Sequence, residues 1–190
     1  MWEGGVNEPS FVYAPGRLAP ATVDTPIHVI DVLPTLLGFA RGPVPKNVDG
    51  VDARALWRSE PSRDRVLVLS FDNVQRCGAV LYGHYKYVLN GACGNAFADY
   101  SGWDGDDYTD DLGPCVGPTA ECLFDLKADP KEQRDVKAAH PSLLDTLRSA
   151  LLAADASAVP SRVLTTPGDS RAAPDLHGGS WVSWLSTNAP

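Results

Sequence analysis

The sequence predicts an α/β chain in which strand and helix segments lead into a small antiparallel sheet packed on one helix. Three observations carry that expectation. Gly78-Ala79-Val80-Leu81-Tyr82 and Tyr85-Lys86-Tyr87-Val88-Leu89 are apolar, β-branched and aromatic arms around Gly83-His84, the pattern of a hairpin. Leu143, Leu144, Leu147, Ala150, Leu151 and Ala154 recur at three and four, so one helix face is apolar. The 17 Gly and 16 Pro among 190 residues imply many turns and long loops rather than a helical bundle.

Taken in order, Phe11-Val12-Tyr13 between Pro9 and Pro15 has the length and flanks of a buried strand. Residues 27–38 follow as a short helix with Ile30, Leu33, Leu36 and Leu37 as its apolar positions and Pro34 tolerable only in the first turn. Residues 42–50 are a Pro-rich connector, and residues 51–57 have room for one or two helical turns. Residues 65–71 are a β-rich strand that opens a second unit, ahead of the hairpin. Residues 90–120 form a long Gly/Asp loop without periodicity. Cys122-Leu123-Phe124-Asp125-Leu126 is the next strand, Asp129-Pro130 turns the chain, and the amphipathic helix starts at Pro141 or Ser142. From Pro160 the chain is Ser/Thr/Pro/Gly-rich. The expected organisation is residues 1–60, 61–160 and an extended tail over 161–190. Residues 61–160 can close a sheet-and-helix layer by themselves. The apolar groups of the first 60 are expected to lie exposed for want of neighbouring strands.

A formal charge of -8 and a sequence pI near 4.8 argue against nucleic acid, since phosphate binding needs a basic footprint. No apolar run approaches the ~18 to 20 residues of a membrane helix, and no signal-peptide pattern opens the chain. Cys77, Cys93, Cys115 and Cys122 sit in loop-rich sequence with no Cys-x-x-Cys, which suggests two disulfides and an oxidising compartment. The hairpin brings the ends bearing Cys77 and Cys93 together, and the short loop from Cys115 to Cys122 can close locally. These are the expected pairs.

Four stretches in order resemble the C-terminal part of sulfatases of the arylsulfatase B type and cover nearly the whole chain. They are Trp2-Glu3-Gly4-Gly5-Val6 with Pro9, Phe11, Val12 and Pro15, and His28-x-x-Asp31-x-x-Pro34-Thr35-Leu36 with Asp49-Gly50-x-Asp52. The others are the Tyr85-Lys86-Tyr87-Val88-Leu89 arm, and Leu123-Phe124-Asp125-Leu126 with Asp129-Pro130, Glu132 and Asp135. The resemblance implies the C-terminal part of the alkaline-phosphatase-like sulfatase fold, namely the end of the catalytic α/β domain followed by the small antiparallel sheet and helix. It also implies that several hundred residues, including the active-site lysine, precede Trp2 in the parent. The family hydrolyses sulfate monoesters with a formylglycine made from the Cys or Ser of Cys/Ser-x-Pro-x-Arg, beside a calcium ion. None of the four cysteines is followed by x-Pro-x-Arg. The chain alone is therefore expected to be inert and to retain no cofactor, with Ca2+ and formylglycine belonging to a full-length parent.

Other residues invite sharper readings. Glu3, in a Glu-Gly-Gly turn, is expected to cap backbone N–H groups, and His28 to pack or cap at the start of a helix. Asp49 and Asp52 read as turn residues. The acidic run of residues 104–111 fails the EF-hand pattern and reads as a solvated loop. Lys86, His84 and Trp103 are candidates for the rim of a sulfated-sugar site, because a cation and an aromatic ring suit that ligand, with a solvated Lys86 on a packed hairpin as the structural alternative. The expected parent acts on a sulfated small molecule or glycan in an extracellular, lysosomal or other secretory compartment. A stand-alone, non-catalytic disulfide-containing binding module and another alkaline-phosphatase-superfamily hydrolase are the alternatives.

Overall fold

The computed structural model describes residues 1–56, 65–91, 115, 117, 119–159 and 170–180. Four strands, β1 (Val66–Asp72), β2 (Cys77–Tyr82), β3 (Tyr85–Leu89) and β4 (Glu121–Asp125), form one antiparallel sheet in the order β1-β2-β3-β4. The β2–β3 turn is the expected two-residue one. Gly83 takes φ 61° at its first central position, where a side chain would be strained. The register slips between Val68 and Ser70, a bulge next to the β1 edge. On the other edge, Leu123 N–H donates to Asp135 Oδ1 at 3.1 Å and Val136 N–H to Leu123 O at 2.8 Å, so β4 is covered rather than open.

Strand alternation sorts the core into two layers. On one face Val80, Tyr87 and Leu123 pack against Leu147 and Leu151 of α4 (Pro141–Ser157). On the other, Ala79, Val88, Cys115, Cys122 and Phe124 meet Met1 and Trp2. Cys115 and Cys122 are disulfide-bonded with their Cα atoms 5.7 Å apart. Cys77 is also disulfide-bonded, and Cys93, its expected partner, lies outside the described residues.

In the first 60 residues the strand expected at Phe11-Val12-Tyr13 needs correction, whereas the exposure expected of the segment's apolar groups is found. Phe11-Val12-Tyr13 belongs to no strand: Phe11 is 90% and Tyr13 83% exposed. A strand exists only with hydrogen-bonded neighbours, and every strand of the sheet pairs within residues 66–125. The helix is present, as a 3-10 turn (Val29–Asp31) running into α2 (Val32–Ala40) with Pro34 in its first turn. Its packed side, however, is Pro34, Thr35 and Gly38, while Leu33 and Leu36 are exposed. The packed side is the one that meets α3 (Ala53–Leu56), where Thr35 accepts the Ala53 N–H.

Met1–Ala158 form one compact unit. A second, Val159–Pro190, contains 3-10 turns at Ser170–Ala172 and Pro174–Leu176. The expected boundary near residue 60 falls outside the described residues.

Because Leu147 is fully buried and Leu152 of the same helix is exposed, truncation separates them. Leu147→Ala is expected to lower the stability of the full chain by about 2–5 kcal/mol and Leu152→Ala by less than about 0.5 kcal/mol, read from urea unfolding.

Candidate functional site

In β3, Tyr87 points to the α4 side, so its neighbour Lys86 must point to the opposite face, where it pairs in register with Phe124. An ammonium there is surrounded by apolar residues and needs compensating charge. Two carboxylates supply it. Lys86 Nζ lies 2.6 Å from Glu3 Oε1 and 2.8 Å from Glu132 Oε1, and Lys86 is 0% exposed. Glu132 enters from the turn after β4 with φ 57°, a left-handed conformation that costs a non-glycine residue about 1–2 kcal/mol and persists only where surrounding contacts enforce it. Its Oε2 accepts the backbone N–H of Glu3 at 2.7 Å, and its Oε1 faces the Lys86 ammonium. Burial pushes the Glu132 carboxyl above the usual glutamate range, opposed by the charge of Lys86 and its hydrogen bond.

The same N-terminal segment is held by Trp2. Its ring lies 5.9 Å from that of Phe124, and its indole N–H donates to Gly91 O at 3.2 Å. A Cβ on Gly91 would stand 2.3 Å from the indole, so only glycine permits this approach.

A second buried charge organises residues 28–54. Asp31 accepts two hydrogen bonds from Arg65, at 2.7 and 2.6 Å, one from His28 N–H at 2.8 Å and one from Val51 N–H at 2.9 Å. Burial acts to raise its pKa, but these donors, Arg65 first among them, outweigh it and hold the carboxyl below the ordinary aspartate range. Thr35 Oγ1 accepts Ala53 N–H at 2.9 Å. A Cβ on Gly50 would sit 2.0 Å from Ile30 O, a backbone atom that has little room to yield. These contacts make the His28-x-x-Asp31-x-x-Pro34-Thr35 and Asp49-Gly50-x-Asp52 motifs two halves of one packed joint. Across the sheet, Tyr87 Oη donates to Glu121 Oε1 at 2.7 Å, and Arg148 of α4 donates to both Glu121 oxygens at 2.6 Å. The Arg148 hydrogen bonds are the main reason the Glu121 carboxyl is held low.

Of the expected sugar-rim residues, the structure describes Lys86 and His84. Lys86 is a correction, because it is buried between two carboxylates and reaches no surface. Glu3 is a second one: its side chain pairs with Lys86 instead of capping backbone N–H groups. His84 is half-buried at the hairpin turn, 3.7 Å from Asp125 Oδ1 and stacked near Tyr85 at 4.4 Å. Trp103 and the acidic residues 104–111 lie outside the described residues. His28 caps the 3-10 turn, its Nδ1 accepting Ile30 N–H at 3.4 Å. Sequence reasoning missed Glu132 as a partner of Lys86, although the Asp129-Pro130-x-Glu132 motif marked it. It also passed over Ser59-Glu60-Pro61-Ser62-Arg63, which fits the bare Ser-x-Pro-x-Arg spacing and lies outside the described residues. Among the described residues no group of three or more His, Cys, Asp and Glu is arranged to hold a metal, so these residues do not fit a calcium site. No described helix is long and apolar enough to cross a membrane.

Lys86→Met leaves two buried carboxylates unpaired and is expected to destabilise the full chain by about 3–5 kcal/mol in urea unfolding, with Glu3→Gln/Lys86→Met/Glu132→Gln together recovering most of the loss. Asp31→Asn tests the joint. The folded pKa of Asp31 is depressed, so its stabilisation is complete above the ordinary aspartate pKa of about 4 and is lost as pH falls through the lower folded value. The variant should be weaker than the unmodified chain at pH 7 and converge on it in strong acid. A constant gap at every pH would count against the assignment.

No family model matches the chain. It is 29% identical over 212 residues to mouse (Mus musculus) arylsulfatase J, a match covering 96% of the chain and 34% of the relative. It is 30% identical over 159 residues to human (Homo sapiens) arylsulfatase A, covering 77% of the chain and 30% of the relative. Among solved structures, Ps i-CgsB in complex with k-i-k-neocarrahexaose aligns at a TM-score of 0.49 and 16% identity over 68% of this chain and 24% of that one. At that score the assignment rests on the sequence relatives. The chain is a sulfatase-related region that spans about a third of the length of the arylsulfatases it matches.

Proposed function

We propose that the chain is the C-terminal part of a sulfatase, whose whole protein hydrolyses sulfate monoesters of an aryl or sugar substrate in a secretory or lysosomal compartment. The observation that carries this reading is the pairing of a near-complete match along the chain with a match to only a third of mouse arylsulfatase J. The packed joint between the His28–Asp31–Thr35 and Gly50–Asp52 motifs supports it, because residues that resemble the family in sequence are those whose contacts hold the segment together. The exposed Phe11, Tyr13, Leu33 and Leu36 fit the same reading, as apolar groups that preceding strands of the catalytic sheet would cover. Formylglycine and Ca2+ would be supplied by that preceding part. In this reading the chain contributes a folded cap to the catalytic domain and no reacting group.

The chain alone is expected not to hydrolyse a chromogenic aryl sulfate, with or without Ca2+. A polypeptide that also carries the coding sequence upstream of Met1 is expected to do so. The Ser59→Ala variant guards against the one sequence match in the chain itself. Turnover by the 190-residue chain that disappears in Ser59→Ala would place the nucleophile here and sink the proposal.

A further inference from the structure

Glu3, Lys86 and Glu132 put two carboxylates and one ammonium into the same buried space, so these three side chains, when ionised, sum to one negative charge. The groups facing it are Glu3 on the first helical turn, Lys86 on β3 and the Met1 amino group, which is partly buried beside Lys86 and both carboxylates. The two acids are not equivalent. Glu3 Oε1 lies 2.6 Å from Lys86 Nζ and Glu132 Oε1 2.8 Å, and the Glu132 side chain is the more deeply enclosed, 3% exposed against 10%. A proton taken from solvent therefore fits best on Glu132. The carboxylate becomes a neutral carboxyl, Glu3 and Lys86 remain as a charge-balanced pair, and Glu132 Oε2 keeps the Glu3 N–H.

We propose that Glu132 makes this triad a proton-dependent latch, which holds residues 2–6 against the sheet more firmly when Glu132 is protonated. The upward displacement of its carboxyl by burial agrees with the geometry. The sign follows from linkage: with the folded value above the unfolded one, the contribution is complete below the unfolded pKa and is lost as pH rises through the folded value. Asp31 and Glu121, both depressed, act in the opposite direction. The latch is thus visible in local opening of the N-terminal segment rather than in global stability.

The test uses the full chain. Carboxyl 13C NMR should give Glu132 a titration midpoint above the ordinary glutamate value of about 4.3. Amide exchange at Glu3, Gly5 and Asn7, after division by the intrinsic rate, should slow as pH falls across that midpoint. The slowing should be about tenfold for each unit separating the midpoint from the unfolded value. In Glu132→Gln that pH dependence should vanish. A Glu132 midpoint at or below the ordinary value overturns the latch whether or not the variant folds. So does an unchanged pH dependence of Glu3 exchange in Glu132→Gln.

Discussion

A buried ammonium between two carboxylates is the constraint on which the rest of this structure depends. Lys86 stands on the sheet face that also carries Ala79, Val88 and Phe124, and strand alternation leaves it no other direction while Tyr87 fills the α4 side. Leaving its charge unpaired in that layer would cost several kcal/mol, so the pairing carboxylates must arrive from elsewhere in the chain. They come from Glu3, 83 residues before it, and from Glu132, in the turn after β4. Once Glu3 is drawn in, Trp2 comes to rest on Phe124 and Gly91, and the first residues become the cover of a sheet formed much later in the sequence.

The two faces of the sheet therefore use different physics. The α4 face is a conventional apolar layer, in which Leu147 and Leu151 remove surface from water against Val80, Tyr87 and Leu123. Its polar groups, Glu121, Arg148 and the Tyr87 hydroxyl, gather at the margin and satisfy one another. The opposite face buries the Glu3–Lys86–Glu132 charges beside its own apolar cluster. There the contribution of the ion pairs lies less in net energy than in specificity, since a displaced segment would strand a buried charge. Asp31 plays the same part for residues 28–54, fixing Arg65, His28 and Val51 around one carboxylate.

Depressed and elevated carboxyls coexist in one unit for this reason. Asp31 and Glu121 are surrounded by donors and an arginine each, so ionisation is favoured in spite of burial. Glu132 shares a single lysine with a second acid and is the more completely enclosed, so burial dominates. The left-handed backbone at Glu132 belongs to the same account, as a local cost borne to bring that carboxylate under the sheet.

Much of the architecture was legible from local pattern. The hairpin arms around Gly83, the β1 and β4 strands and the α4 face all depend on periods of two or on spacings of three and four, which are properties of the residues themselves. The short loop between Cys115 and Cys122 likewise announced a local closure. What the sequence could not decide was everything that depends on a distant partner. Phe11-Val12-Tyr13 has strand composition but pairs with no strand among the described residues. Lys86 looked like a surface cation because nothing near it in sequence discloses Glu3 and Glu132. Residue type and spacing set which backbone conformations are favourable; burial and charge pairing are decided by contacts between segments far apart in the chain, which only the tertiary structure brings together.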